Sequence, residues 1–324
     1  MKVKQSLLKY ISPETPEELK LRVAKAAPPE PLSPEDQLTA LVVLTFDKNA
    51  PVSEAAKKGL AEYPAESVVE ALEKKLDPLV IKKAVFLHSD KDAVLIMAAG
   101  NPATDDETLK KIAATGPEEV SAVFLDDIER VRSRPFILDS LRENPYVPKP
   151  VIAEMEALLS APPAEKKEKS SEEVAEALKK EGHAAADEGN IYQVIKEMSM
   201  GQKVKLALSG NKSSRELLVK DANKMISLAV LKNPRITEDE VLKVANTKGT
   251  PEDLLRQIAR NKEWLKSYSI KMGMISNPKT PLAISIKLID SLYENDLKKI
   301  AKSNNIPSAL ASTARRKLDT KGKK

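Results

Sequence analysis

One segment of the sequence interleaves aromatic and cationic side chains in a way that suits binding. It runs from Leu255 to Lys271 and holds the only tryptophan of the chain, Trp264, with Tyr268 four residues later. The cations of this segment are Arg256, Arg260, Lys262, Lys266 and Lys271. Aromatic rings can stack on bases or anchor a protein partner, while cations hold phosphates or carboxylates. The alternative interpretation, which a single tryptophan in a helical chain favours, is that Trp264 and Tyr268 pack between helices and the cations face water.

A second candidate site is an arginine cluster directly before Pro135. Its members are Arg130, Arg132 and Arg134. Such a cluster can bind phosphate or carboxylate groups. The carboxylates beside it could act as an acid/base pair, but that chemistry needs a buried carboxyl group with a perturbed pKa, and nothing nearby has the pattern of a pocket wall. We therefore prefer a solvated turn of helix in which Asp126 pairs with Arg130 four residues later.

Residue types that most catalytic and metal sites require are scarce. The chain has no cysteine and two histidines, His88 and His183, which excludes disulfides, thiolate-held metals and multi-histidine metal sites. The segment Gly210–Ser213 is similar to the end of a phosphate-binding loop, but Asn211 stands where that motif needs glycine. His88 fits a histidine favoured by a helix C-terminus. We expect no catalytic residue, no metal and no cofactor.

Charge is distributed unevenly along the chain. The net charge is +5, yet residues 1–160 hold 21 basic and 27 acidic side chains, whereas residues 191–324 hold 27 basic and 13 acidic ones. A basic module attracts acidic proteins, nucleic acids and anionic membranes alike. Docking of the acidic half on the basic half would make much of this asymmetry internal. We expect an acidic protein partner for the C-terminal part, with nucleic acid as the less favoured alternative.

Composition and local signals predict an all-α chain. Only 3% of residues are aromatic, and Ala, Leu, Lys and Glu recur throughout, which favours helix over strand. Caps followed by proline or acidic residues begin a helix again and again. The predicted cap residues are Thr15, Ser33, Thr104, Ser213, Thr237 and Thr250.

Asparagine–proline pairs recur at the predicted helix ends. They lie at Asn101, Asn144, Asn233 and Asn277, and weaker versions lie at Asn211 and Asn304. Because proline cannot continue a helix, each pair predicts a stop. The intervals of 43 residues from Asn101 to Asn144 and 44 from Asn233 to Asn277 match the length of a HEAT or armadillo repeat, which predicts an α-solenoid.

The blocks that carry this repeat resemble a known family. The sequences from Ala98 to Leu109, Leu231 to Val241 and Ile275 to Ala283 are similar to bacterial variant leucine-rich repeat proteins and related HEAT-like proteins. The resemblance covers four to six short blocks, and it implies an all-helical, right-handed solenoid in which some units use short tight helices. The cysteine segment that binds a cluster in one member has no counterpart here, so the resemblance implies no iron–sulfur role.

Composition also predicts the domain boundaries. The segment from Ser160 to Ser171 is charged and contains two prolines, and it cannot bury an apolar face, so we predict a flexible linker. The predicted domains are an N-terminal helical segment (1–27), an acidic helical-repeat domain (28–159), the linker (160–190), a basic helical-repeat domain (191–318) and a basic tail (319–324).

Taken together, these features predict a non-enzymatic interaction scaffold or adaptor. The alternative is a nucleic-acid-binding helical-repeat protein, conceivably of the DNA glycosylase type, which the basic C-terminal part favours. The first residues lack the apolar stretch of a secretory signal, and no apolar stretch approaches the roughly 20 residues that cross a membrane. We expect a cytoplasmic protein.

Overall fold

The computed structural model describes residues 3–161, 188–303 and 306–321. Over these residues it contains 22 α-helices and no β-strand, which confirms the all-α prediction. Most of the predicted linker, residues 162–187, lies outside the described residues. The helices form two compact units. Unit 1 comprises Met1–Ser214 and Lys232–Pro234, and unit 2 comprises Arg215–Leu231 and Arg235–Lys324.

The helices are short and follow one another closely. The first twelve are α1 (Leu8–Ile11), α2 (Glu17–Ala24), α3 (Pro34–Leu44), α4 (Ala50–Ala61), α5 (Ala65–Leu72), α6 (Pro78–Leu87), α7 (Asp92–Ala99), α8 (Asp106–Thr115), α9 (Glu119–Asp126), α10 (Ile128–Ser133), α11 (Phe136–Glu143) and α12 (Lys149–Ser160). The next ten are α13 (Glu188–Glu197), α14 (Met200–Ser209), α15 (Lys212–Leu218), α16 (Lys224–Leu231), α17 (Glu238–Asn246), α18 (Glu252–Arg260), α19 (Tyr268–Ser276), α20 (Leu282–Ile289), α21 (Glu294–Lys302) and α22 (Ser308–Lys321). Short 3₁₀ helices cover Gln5–Leu7 and Trp264–Lys266.

Within each unit, several helices pack on the next but one along the chain. In unit 1, α3 packs on α5, α5 on α7 and α7 on α9, and in unit 2, α16 packs on α18 and α17 on α19. Adjacent helices also pack, such as α21 on α22. Apolar side chains at helical spacing fill the space between them, such as Leu255 and Ile258 of α18 with Met274 of α19. Most of these contacts join helices that are close in sequence, and the contact of α9 with α14 is an exception.

Buried asparagines join successive helix layers, and we call each of these contacts an asparagine brace. The Nδ2 groups of Asn101, Asn144, Asn233 and Asn277 donate hydrogen bonds to the carbonyl oxygens of Leu72, Ala113, Ala207 and Ala245, each at 2.8 Å. These four side chains are only 2–4% exposed. The acceptors lie 26–32 residues earlier in the chain. The following proline holds the asparagine backbone extended, with φ −76° at Asn144 and −81° at Asn277, so the braces use no left-handed cap.

Some predicted caps are confirmed and others are wrong. Ser33 accepts the Asp36 amide, and Thr237 forms a reciprocal capping box with Glu240. Thr104 and Thr250 instead turn back, and their hydroxyl groups donate to the carbonyls of the preceding helix at 2.6 and 2.7 Å.

Two further helices begin differently from the prediction. Thr15 likewise donates to the carbonyl of Lys9, at 3.2 Å, and α2 begins after Pro16. Ser213 lies inside α15, where Asn211 accepts the Ser214 amide. The predicted helix starts were correct to within a residue or two. A hydroxyl group beside a helix end, however, can bond either to an amide of the next helix or to a carbonyl of the preceding one.

The packing divides the chain differently from the predicted domains. Helix α14, which the sequence assigned to the basic domain, packs on α9 inside unit 1. The two helices approach so closely that a Cβ atom at Gly201 would lie 2.9 Å from the carbonyl oxygen of Ala122. The N-terminal residues also belong to the core of unit 1, where Leu7 and Val23 pack with Leu44. These boundaries depend on close contacts between helices, and no local sequence signal predicts such contacts.

Candidate docking edge of unit 2

The predicted binding segment is broken into three pieces. It begins on α18, continues through the 3₁₀ helix Trp264–Lys266 and ends on α19. Asn261 produces the break, because its side-chain oxygen accepts the amides of Glu263 and Trp264. The Trp264 side chain is partly buried against the core of unit 2. This placement matches the alternative in which the tryptophan packs between helices.

Tyr268 belongs to an aromatic cluster that the sequence did not reveal. Its ring lies 4.5 Å, centroid to centroid, from the ring of Tyr293. Its hydroxyl group donates to Oδ2 of Asp296 at 2.6 Å and accepts the Tyr293 amide at 3.2 Å. The Tyr293 side chain is 67% exposed. We call Tyr268, Tyr293 and Asp296 the tyrosine edge.

The proton positions in the tyrosine edge follow from its contacts. Burial and the neighbouring Asp296 carboxylate raise the pKa of Tyr268. The hydrogen bonds from Tyr268 and from Lys299 lower the pKa of Asp296. At neutral pH a neutral phenol therefore donates to an ionised carboxylate. This arrangement holds the Tyr268 ring in place, and Tyr293 stacks on it with most of its surface free.

The five predicted cations differ in their pairing. Arg256 forms an ion pair with Glu252, and Lys266 pairs with Glu263. No ion pair joins the other three, Arg260, Lys262 and Lys271, to the residues that the structure describes. Arg260 and Lys262 are exposed, and Lys271 is half-buried. These three cations flank the break between α18 and α19 and are free to meet an anionic partner.

The arginine cluster of unit 1 is used inside the fold. Arg130 is buried and donates to the carbonyls of Ala99 and Asn101 at 2.8 and 2.9 Å. The predicted Asp126–Arg130 pair is thus wrong, because the guanidinium group satisfies a helix end instead, and Asp126 accepts from Ser199 at 2.6 Å.

The other two arginines of the cluster also have partners within unit 1. Arg132 donates to the Leu159 carbonyl at 2.6 Å, near the end of α12. Arg134 pairs with Asp106 at 2.7 Å. These contacts indicate that the arginine cluster stabilises the fold of unit 1.

His88, the histidine that the structure describes, has a structural position. His88 ends α6 as its C-cap and is buried. Burial lowers its pKa, so the ring is neutral at pH 7 and does not act as the charged dipole partner that the sequence suggested. His183 lies outside the described residues. Over the described ranges, no group of three or more His, Cys, Asp or Glu side chains is placed to hold a metal ion.

Comparison with known proteins returns no relative. No protein-family model, no curated protein and no solved structure matches this chain. None of the described helices is both long enough and apolar enough to cross a membrane.

Proposed function

We propose that this protein is a non-enzymatic interaction scaffold whose helices form an α-solenoid of HEAT-like or variant leucine-rich repeats. We further propose that it works in the cytoplasm and that the tyrosine edge binds an acidic protein partner. The observation that carries the proposal is the exposed Tyr293 ring packed on Tyr268. The three cations that lack ion pairs belong to α18, to α19 and to the turn between these helices, and Tyr268 begins α19. The cysteine-free composition fits a reducing compartment.

Two regularities support the solenoid. Several helices pack on the next but one, as they do in stacked helical repeats, where each repeat contacts only its neighbours. Each asparagine brace occurs at an Asn–Pro pair, and each contacts a carbonyl group about one helix layer earlier in the chain. A repeated contact of this kind is expected where one structural unit is used again and again.

The tyrosine edge has the character of a protein-binding hot spot. Tyrosine is enriched at interface centres because it offers a large, rigid ring and a hydroxyl group at little cost in conformational entropy. The Tyr293 ring is already ordered by Tyr268, so a partner need not immobilise it. Arg260, Lys262 and Lys271 form no ion pair with described residues and add positive charge to the same unit, which favours an acidic partner.

Nucleic acid is the second candidate, because Tyr293 could stack on a base while the same cations hold phosphates. Several other cations of unit 2 are engaged by neighbouring acids, such as Lys243 with Glu216 and Lys224 with Asp253. A long polyanion would meet those acids along its path, whereas a folded acidic partner can match a local patch. This difference favours a protein.

The test uses the full chain and a fluorescent oligo-glutamate peptide that carries several leucines. Tyr293→Ala should weaken binding at least tenfold, and Lys262→Glu combined with Lys271→Glu should weaken it as well. Tyr146→Ala is the matched control, since Tyr146 is a similarly exposed tyrosine of unit 1. Equal binding by the Tyr293→Ala and Tyr146→Ala variants would contradict the tyrosine edge as the docking site.

A further inference from the structure

Two exposed phenylalanines of unit 1 call for an explanation. The chain has only four phenylalanines, and Phe46 and Phe86 are 62% and 67% exposed. Phenylalanine is normally buried because transfer of its ring out of water is strongly favourable. Leu87, next to Phe86, is also exposed. Exposed apolar groups that lie close together mark interaction sites in soluble proteins.

Lysines connect these rings into one surface. The Lys83 ammonium lies 5.6 Å from the centroid of the Phe46 ring, and the Lys111 ammonium lies 5.1 Å from that of Phe86. Lys83 and Phe86 are three residues apart on α6 and therefore share a face. The series Phe46, Lys83, Phe86 and Lys111 runs from the end of α3 across α6 to α8, and we call it the phenylalanine–lysine strip.

The lysines of the strip carry charge that the described part of unit 1 does not neutralise. No described acid forms an ion pair with Lys83 or Lys111, whereas the adjacent Lys82 pairs with Glu107. Each ammonium group is held over a ring by a cation–π contact. A partner carboxylate could therefore bind an ammonium group that is already in place.

The strip ends at an open cavity of about 500 Å³. Phe46 forms part of its lining, together with the apolar side chains of Ile11, Val43 and Val52. Two of the four charged lining residues pair with each other, since Lys20 donates to Asp47 at 2.8 Å and both side chains are nearly buried. The other two are Glu17 and Lys48, which lie at more exposed positions. The interior of the cavity thus suits an uncharged side chain with a large apolar body.

One polar atom of the cavity wall needs a donor. The side-chain oxygen of Asn49 is buried and accepts no hydrogen bond from any described residue. Asn49 is the N-cap of α4, but Pro51 at the second helical position has no amide hydrogen to give it. A buried acceptor without a donor is costly. Asn49 belongs to the cavity lining, and a ligand that brings an N–H or O–H group removes this cost once the Asn49 side chain turns towards it.

We propose that the phenylalanine–lysine strip and its cavity bind an extended acidic peptide of a partner protein, anchored by a tryptophan or tyrosine. The anchor ring enters the cavity against Phe46, and its N–H or O–H donates to Asn49. Carboxylates of the same peptide pair with Lys83 and Lys111. Residues 1–160 are acidic overall, so a nucleic acid or an anionic membrane meets repulsion around the strip, whereas a short peptide touches only the strip.

This site is separate from the tyrosine edge, so the two proposals can fail independently. The test measures fluorescence anisotropy of a labelled peptide in which one tryptophan is followed by alternating glutamates and leucines, with the full-length protein. Phe86→Ala, and Lys83→Glu combined with Lys111→Glu, should each weaken binding at least tenfold. The variants are made in the Tyr293→Ala background, so that the tyrosine edge does not contribute to the signal, and Tyr146→Ala and Lys57→Glu are controls that should leave this affinity unchanged.

The anchor is tested by a double exchange. Replacing the peptide tryptophan by phenylalanine, which has no hydrogen-bond donor, should weaken binding to the wild type. The same replacement should reduce the affinity of the Asn49→Ala variant much less. Because Phe86 and Lys111 are exposed and Lys83 is only partly buried, their variants should keep the wild-type melting temperature. The absence of saturable binding by the tryptophan peptide, or an equal loss in Tyr146→Ala, would overturn the proposal. Tighter binding of oligothymidylate or anionic vesicles through the same strip residues would also overturn it.

Discussion

The replacement Asn277→Ala removes one complete asparagine brace from unit 2. The Asn277 side chain donates to the carbonyls of Ala245 and Thr247 at 2.8 and 3.0 Å, and it accepts the Lys279 amide at 3.0 Å. The Ala245 carbonyl contact is buried, while the other two are partly open to solvent. The variant therefore leaves one backbone acceptor without a donor and exposes two more groups to imperfect hydration.

The magnitude follows from these three contacts. A buried polar group that loses its partner costs about 1–3 kcal/mol, and an exchange with water costs about 0.5–1.5 kcal/mol. One buried loss and two partly exposed ones give about 3 kcal/mol. With a urea dependence of about 1–3 kcal/mol per molar, the unfolding midpoint should fall by about 1–3 M.

The fluorescence of Trp264 provides the assay. It is the only tryptophan of the chain and packs against the core of unit 2, so its urea transition reports on that unit. Asn295→Ala is the matched control, because Asn295 is exposed on α21, and this variant should stay within about 0.5 kcal/mol of the wild type. If Asn277→Ala unfolds at the same urea concentration as Asn295→Ala, the brace does not stabilise unit 2 and the reasoning is refuted.

Three further predictions concern the same packing. Thr237→Ala removes the oxygen that accepts the Glu240 amide and should cost about 0.5–2 kcal/mol in the Trp264 urea transition; an unchanged midpoint would count against this cap. Glu240 and Arg215 form a buried ion pair at 3.0 Å, so Glu240→Gln should cost about 3–5 kcal/mol. Burial raises the pKa of Glu240, but the hydrogen bonds from Arg215 and Thr237 and the charge of Arg215 together outweigh burial and hold the pKa below the reference value of 4.5. The stabilisation is therefore complete above that pH and is lost as the pH falls through the lowered pKa. A Trp264-monitored stability that stays constant down to pH 3 would oppose this. Brief trypsin treatment should cut first between Lys166 and Lys169, and the products should elute together in gel filtration because α14 stays packed on α9; separation of the products would support the predicted boundary at 160–190.

Local sequence signals predicted where helices begin and end better than they predicted which groups contact one another. The caps at Ser33 and Thr237 depend on atoms three residues away, so the sequence alone was sufficient for them. Thr250 carries a hydroxyl group and is followed by proline, as is Ser33, but a carbonyl of the preceding helix lies within its reach and accepts a hydrogen bond from this hydroxyl group. The helix stops at Asn101 and Asn277 were predicted, whereas their bonds to carbonyls 29 and 32 residues earlier depend on how the layers stack.

In the candidate sites, too, the sequence identified individual residues but did not reveal their contacts. The sequence singled out Tyr268 because of its cations, but its ring partner Tyr293 lies 25 residues later, in a loop with no aromatic or cationic pattern. Phe46 and Phe86 carry no local sign of exposure, because an isolated phenylalanine in an apolar helix is normally a core residue. Arg130 has the residue type of an anion site, and only the position of the α7 C-terminus determines that it binds carbonyls instead.

The salt dependence of nucleic-acid binding, measured with the full chain and its Tyr293→Ala variant, tests the scaffold proposal most directly. Each phosphate that is neutralised releases counterion, so binding through charge alone should fall about a thousandfold or more between 50 and 200 mM salt for six to ten contacts. The proposal predicts weak binding of oligothymidylate at physiological salt, with no change in Tyr293→Ala, while the acidic peptide still binds and loses affinity in that variant. Submicromolar binding of oligothymidylate at physiological salt, lost in Tyr293→Ala while the melting temperature is kept, would contradict the proposal and identify the tyrosine edge as a base-stacking site.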